Sequence, residues 1–223
     1  MKGLTVVIIS FLLQCAYGYA QTDSVSYLAL GDSYTVGRGV ATLQTFPYQL
    51  ADKLRSKKIN VATPVLIAQN GYRTDELIKR IAQSNTTQTF DFVTLLIGVN
   101  NQFQNKSQDV YQTEFTRLLT TAVKFAKGNP KHVFVLSIPD WGVTPFANGR
   151  NPERIAAEID QYNAINKSIS TAAGVSYIDI TGLSRGAADD PEAVTTDKLH
   201  PSAKMYGWWV KKISAAVAKE FKP

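Results

Sequence analysis

The chain has 223 residues, 44% of them hydrophobic and 19% charged, and a formal net charge of +6. That length can bury a sizeable core but gives no reason to divide it into two full domains. The lysines are scattered over predicted helices (Lys53, Lys57, Lys79, Lys124, Lys211, Lys219) and form no basic block interleaved with aromatics, which argues against a nucleic-acid-binding surface.

At the start of the chain, Lys2 precedes the apolar run Leu4 to Leu13, and Gly18-Tyr19-Ala20 supplies small side chains where a signal peptidase reads. The expectation is a signal peptide over residues 1–20, a single domain over 21–223, and a secreted or periplasmic product. The run is shorter than the roughly 20 apolar residues a spanning helix needs, and it breaks at Gln14. The rival is a lipoprotein signal ending at Cys15, for which Gln14 is a poor preceding residue. Cleavage after Ala20 removes Lys2 and the only cysteine, leaving 23 basic against 18 acidic side chains and no thiol for a disulfide or a metal.

Five β-rich runs follow: Val25 to Leu30, Val65 to Gln69, Phe92 to Ile97, His132 to Ile138 and Ser176 to Ile180. Between and after them, helical patterns cover Pro47 to Lys57, Thr74 to Ala82, Asp109 to Lys127, Pro152 to Ala172 and Ala203 to Phe221. This alternation predicts an α/β fold on a parallel sheet. The nearly unbroken apolar run Phe92 to Ile97 fits a strand covered by helices on both faces. Ligands of such sheets bind at the carboxyl ends of the strands. Gly31-Asp32-Ser33, Asn70-Gly71 and Gly98-Val99-Asn100 follow the first three strands, and Asp197/His200 lie beyond the fifth, all expected along that one edge.

Ser33 lies in Leu30-Gly31-Asp32-Ser33-Tyr34, where a glycine lets the chain turn and a hydroxyl emerges. A serine hydroxyl is a weak nucleophile until a base takes its proton, and alone it is as well read as a helix N-cap. Of the two histidines, His132 opens an apolar strand at the opposite end of the sheet and reads as structural. His200, in Asp197-Lys198-Leu199-His200-Pro201, is held extended by Pro201 on a loop. Asp197, three residues earlier, is placed to accept the Nδ1 proton and leave Nε2 free for Ser33. The same Asp-x-x-His is otherwise a surface loop or half of a metal site, but no further histidine or cysteine lies near to complete one. Candidate oxyanion donors are the Ser33 N–H, the Gly71 N–H and the Asn100 amide, each by itself an ordinary turn residue.

With these four blocks in order, the sequence resembles the SGNH (GDSL-like) hydrolases, serine esterases and lipases named for their Ser, Gly, Asn and His blocks, over nearly all of residues 21–223. The resemblance implies a three-layer α/β/α flavodoxin-like fold with a five-stranded parallel sheet in the order 2-1-3-4-5. It further implies Ser33, Asp197 and His200 as catalytic residues, Ser33, Gly71 and Asn100 as the oxyanion hole, an ester substrate, and no cofactor or metal. Asn101 stands where many members have Asp, and Lys198 where Gly is frequent.

The loop after the fourth strand, Ile138 to Phe146, is expected on the same edge, with Trp141 and Phe146 lining an acyl or alcohol pocket or packing against their own helix. Trp208 and Trp209 share helical spacing with Met205, Ile213, Ala216 and Val217 and are expected in the core. With no long insertion to form a lid, an open cleft for short or medium acyl esters is expected, acetylated sugars and lysophospholipids among them. The alternatives are a noncatalytic binding module on the same fold and an FMN-binding flavodoxin relative. Asn85, Asn105 and Asn166 each begin a glycosylation sequon.

Overall fold

The computed structural model describes residues 24–221; the predicted signal peptide, with Cys15 and its cleavage site, lies outside the described residues. In chain order the elements are β1 (Tyr27–Gly31), α1 (Ser33–Val36), α2 (Phe46–Ser56), β2 (Val65–Ala68), α3 (Thr74–Ser84), β3 (Phe92–Leu96), α4 (Val99–Phe103), α5 (Gln108–Phe125), β4 (Val133–Leu136), α6 (Pro152–Ala172), β5 (Ser176–Ile178), α7 (Thr181–Arg185) and α8 (Ala203–Glu220). The five strands form one parallel sheet in the order β2-β1-β3-β4-β5. Among the described residues, no helix is long and apolar enough to cross a membrane.

Burial follows strand position. Every residue of β1, β3 and β4 is buried, as strands covered on both faces require, whereas the edge strands β2 and β5 are partly open. Helix α2 packs with α8 in one outer layer, and α5 packs with both α3 and α6 in the other. The α2/α8 layer is held by Trp209, which is fully buried with its ring 6.4 Å from Phe46 and 5.2 Å from Tyr206. Truncating such a side chain typically costs about 3–5 kcal/mol. Met205, Ile213 and Val217 are buried with it, while Trp208 and Ala216 are half-buried at its margin.

The caps are local consequences of sequence. Asn151 accepts from the Arg154 N–H and is followed by Pro152, which has no N–H to satisfy, so α6 begins where a helix starts most readily. His132 lies in a turn over Pro130–His132 that leads into β4, and its ring packs 4.7 Å from Phe221, at the sheet end away from Ser33. Asn166 is fully buried and donates to Tyr111 Oη, which closes that sequon to glycosylation in the folded chain.

Because β1, β2 and β3 are neighbours, the loops leaving their carboxyl ends are adjacent. Gly31, where β1 turns, has no room for a side chain, since a Cβ would stand 2.4 Å from the Leu96 carbonyl oxygen on β3. Gly98, where β3 turns into α4, has φ 131°, a conformation glycine alone adopts without strain.

Candidate active site

Residues predicted from four separate stretches of sequence meet at the carboxyl edge. Asp32 caps α1 by accepting from the Tyr34 N–H at 3.0 Å, and Ser33, the first residue of that short helix, presents its hydroxyl at the sheet edge. His200 Nε2 is 2.9 Å from Ser33 Oγ, and His200 Nδ1 is 2.6 Å from Asp197 Oδ2. A carboxylate at Nδ1 selects the tautomer with Nδ1 protonated, which leaves Nε2 free to accept the serine proton.

The loop that carries the pair is braced from within. An antiparallel bridge joins Val194 to Pro201, and the Thr195 N–H donates to the His200 carbonyl at 2.8 Å. Asp197 Oδ1 takes three donors, the Thr195 hydroxyl at 2.8 Å, the His200 N–H at 2.9 Å and the Leu199 N–H at 3.0 Å. The two oxygens of one carboxylate are thus divided between holding the loop and facing the imidazole. Lys198 takes φ 62°, the left-handed region that glycine occupies freely, so a lysine there costs about 1 kcal/mol of backbone strain.

Burial pushes the Asp197 carboxyl up, but its hydrogen bonds from His200, Leu199 and Thr195 outweigh that, and it is held well below the usual carboxylate range. For His200, burial disfavours the imidazolium more than Asp197 favours it, and its pKa falls below the usual value. Arg38, with Nε 3.8 Å from Asp197 Oδ2, acts in the same direction. Both shifts leave a neutral imidazole beside an ionised carboxylate at neutral pH. Asp32 differs from both. Burial pushes its carboxyl up to about 7 despite the Tyr34 N–H, and its Oδ2 is buried without a partner.

Gly71 has φ 82°, and a Cβ there would meet nothing within 4 Å, so backbone conformation rather than space is what asks for glycine. The Asn100 amide donates one proton to the Tyr72 carbonyl at 2.9 Å, which fixes its plane and leaves the second N–H available. Asn101 fastens the same loop to α4: its Oδ1 accepts from the Thr74 N–H at 3.1 Å and its Nδ2 donates to Thr74 Oγ1 at 2.7 Å, while the Thr74 hydroxyl donates to Glu114. With Glu114 taking the hydroxyl proton, a donor amide at position 101 suits the network.

A cleft of about 180 Å³ opens over these residues, lined by Ser33, Gly71, Asn100 and His200 and walled by Phe103, Trp141 and Phe146. The two aromatics expected from sequence both line it. Trp141 is nearly buried, with its indole N–H on Gln102 Oε1 at 2.8 Å. Phe146 is tied to the histidine loop, its N–H donating to the Lys198 carbonyl at 3.0 Å. Phe103, Arg38 and Tyr34 also line the cleft and were not singled out from sequence. Tyr34 is the more consequential, since its ring lies 5.6 Å from His200 and 6.2 Å from Trp209, and its carbonyl accepts from Tyr206 Oη at 2.9 Å.

A five-stranded parallel sheet in this order, with its Ser, Gly, Asn and His blocks along one edge, defines an ester hydrolase of the SGNH class. The profile of the GDSL-like Lipase/Acylhydrolase family matches residues 29–208, and the chain belongs to that family. It is a carboxylic ester hydrolase. No curated protein matches the sequence. Among solved structures it is similar to TesA (13% identity, TM-score 0.69, covering 87% of this chain and 98% of that one). It is also similar to the psychrotrophic esterase EstA from Pseudoalteromonas sp. (14%, 0.69, 90% and 100%) and to Axe2, an acetylxylan esterase from Geobacillus stearothermophilus (18%, 0.66, 89% and 94%). At these identities the likeness is one of fold.

Proposed function

We propose that the protein is a secreted serine esterase that cleaves short or medium acyl esters through an acyl-enzyme on Ser33. His200 takes the Ser33 proton as the hydroxyl attacks the ester carbonyl, and Asp197 holds the tautomer and stabilises the imidazolium. The Ser33 N–H, the Gly71 N–H and the second Asn100 amide proton receive the oxyanion, each donor being worth about 3–4 kcal/mol of transition-state stabilisation. His200 returns its proton to the leaving alcohol, and water then repeats the sequence on the acyl-enzyme. No metal or cofactor enters this scheme. The observation that carries the reading is the unbroken line Asp197 Oδ2 to His200 Nδ1 at 2.6 Å and His200 Nε2 to Ser33 Oγ at 2.9 Å.

A cleft of about 180 Å³ falls below the roughly 300–1,000 Å³ of pockets for drug-sized ligands, which supports a short acyl group. Trp141 and Phe146 supply its apolar contact. The apolar run ahead of Gly18-Tyr19-Ala20 supports export with cleavage after Ala20, leaving residues 21–223 as one domain. The test is hydrolysis of p-nitrophenyl esters, from acetate to long acyl chains, by the mature protein beside a Ser33→Ala control. The expected result is turnover of the short esters that the control lacks; equal turnover in the control overturns the assignment.

A further inference from the structure

Behind the aromatic wall of the cleft is a second cavity of about 250 Å³, lined by Gln102, Asn105, Arg150, Arg154 and Glu158 and bounded on the cleft side by Phe103 and Trp141. Arg150 stands over all three aromatics of the wall, its guanidinium carbon 5.3 Å from the Phe103 ring, 5.3 Å from Trp141 and 5.5 Å from Phe146. The rings are themselves packed together, Phe103 against Trp141 at 5.4 Å and Trp141 against Phe146 at 6.0 Å. Three rings attract the guanidinium through their π faces and restrict where it can sit, while they take none of its N–H donors.

The charges of this cavity do not cancel. Glu158 Oε1 accepts from Arg154 Nε at 2.7 Å and its Oε2 accepts from Gln102 Nε2 at 2.7 Å, so both of its oxygens are engaged. The hydrogen bond from Arg154 holds the Glu158 carboxyl below its usual range, and it is ionised at neutral pH. Arg55, Arg73, Arg154 and Arg185 each have a carboxylate partner, but Arg150 has none among the described residues. Two guanidiniums against one carboxylate leave a net positive charge in the lining, and the N-terminus of α6, capped by Asn151, adds the positive end of a helix dipole that Glu153 in its first turn offsets only in part. The cavity is also mechanically joined to the cleft, because Trp141, Gln102, Glu158 and Arg154 form one hydrogen-bonded chain.

We propose that this cavity is a subsite for an anionic group, a carboxylate or a phosphate, on the part of an ester substrate that reaches from Ser33 past Phe103, with Arg150 as its counter-ion. The proposal rests on Ser33 being the reacting centre. It gives the enzyme a preference for acidic esters over neutral ones of equal size, a partly exposed ion pair contributing about fivefold.

The test compares kcat/KM on matched pairs: 4-acetoxybenzoate with its methyl ester, 4-acetoxyphenyl phosphate with its dimethyl ester, and mono-p-nitrophenyl succinate with its methyl ester. The first two carry a carboxylate or a phosphate on the alcohol side, and the third a carboxylate on the acyl side. The wild type is expected to favour the anionic member of at least one pair, with 0.5 M NaCl eroding the preference. Arg150→Gln should lower that ratio about fivefold and Arg150→Lys should restore part of it. Glu158→Gln, which frees Arg154, should raise the ratio, and this opposite sign is one that a purely structural Arg150 would not produce. A ratio unmoved by both Arg150→Gln and Glu158→Gln, or one moved only by Arg38→Gln, overturns the proposal. Neutral-ester turnover equal in Ser33→Ala overturns the reaction reading itself and is read separately from the ratios.

Discussion

Replacing Asp197 by Asn separates the two roles of that carboxylate. Asn keeps an oxygen at the Oδ1 position, where Thr195, Leu199 and His200 donate, and puts an amide nitrogen where Oδ2 faces His200 Nδ1 at 2.6 Å. An amide donor there makes Nδ1 the acceptor and moves the ring proton to Nε2, the atom that must receive the Ser33 proton. The same exchange in a serine-protease triad lowers kcat about 10⁴-fold with geometry intact, and a loss of that order is expected here. At about 1.4 kcal/mol per tenfold, it corresponds to roughly 5–6 kcal/mol of barrier. Asp197→Ala removes the loop anchor as well, leaving three donors without an acceptor at about 1 kcal/mol or more each. The assay is kcat on p-nitrophenyl acetate at pH 7.5, with chemical denaturation of both variants. Asn should cost stability clearly less than Ala while losing nearly as much activity. A kcat loss under tenfold for Asp197→Asn, or equal stability losses for the two variants, would refute this division of labour.

Two further outcomes follow from the same electrostatics. The base form of His200 is neutral and its pKa is lowered by burial, so kcat/KM should rise with pH through a midpoint below 6.5; a limb centred above 7 contradicts this. Asp32 binds its proton more tightly folded, at about 7, than unfolded, at about 3.8, so its share of stability is present below the unfolded value and is lost as pH rises toward 7. Urea denaturation of wild type and Asp32→Asn from pH 4 to 7.5 should show the difference moving in favour of the variant as pH rises; a constant difference would exclude a neutral buried Asp32.

How much of this was legible depended on the length of each signal. Helix α6 was delimited to the residue because Asn151 and Pro152 mark a start that local chemistry decides. Strand β1 begins at Tyr27 and not at Val25, since Val25 pairs only through an isolated bridge to Val61. The short helices α1, α4 and α7 went unread, being four or five residues long and below the span over which a 3.6-residue period can be counted. Phe103 was missed with α4, although it forms part of the cleft wall. Ser33, Gly71, Asn100, Asp197 and His200 were legible because each sits in a short motif just after a strand or on the final loop. The stacking of Arg150 on three rings had no sequence signal, since it joins residues from α4 and from the loop after β4. Nor could the partnerless Oδ2 of Asp32 be read, because burial on every side comes from elements remote in the chain.

The central claim is that Ser33 is a nucleophile activated by His200, and the most direct test is covalent trapping. Mature protein would be incubated with a fluorophosphonate ester, its intact mass measured, and the modified peptide sequenced. The account predicts one adduct per chain, on Ser33, absent from Ser33→Ala and formed far more slowly in His200→Ala. No adduct, or one carried by another residue, would contradict it.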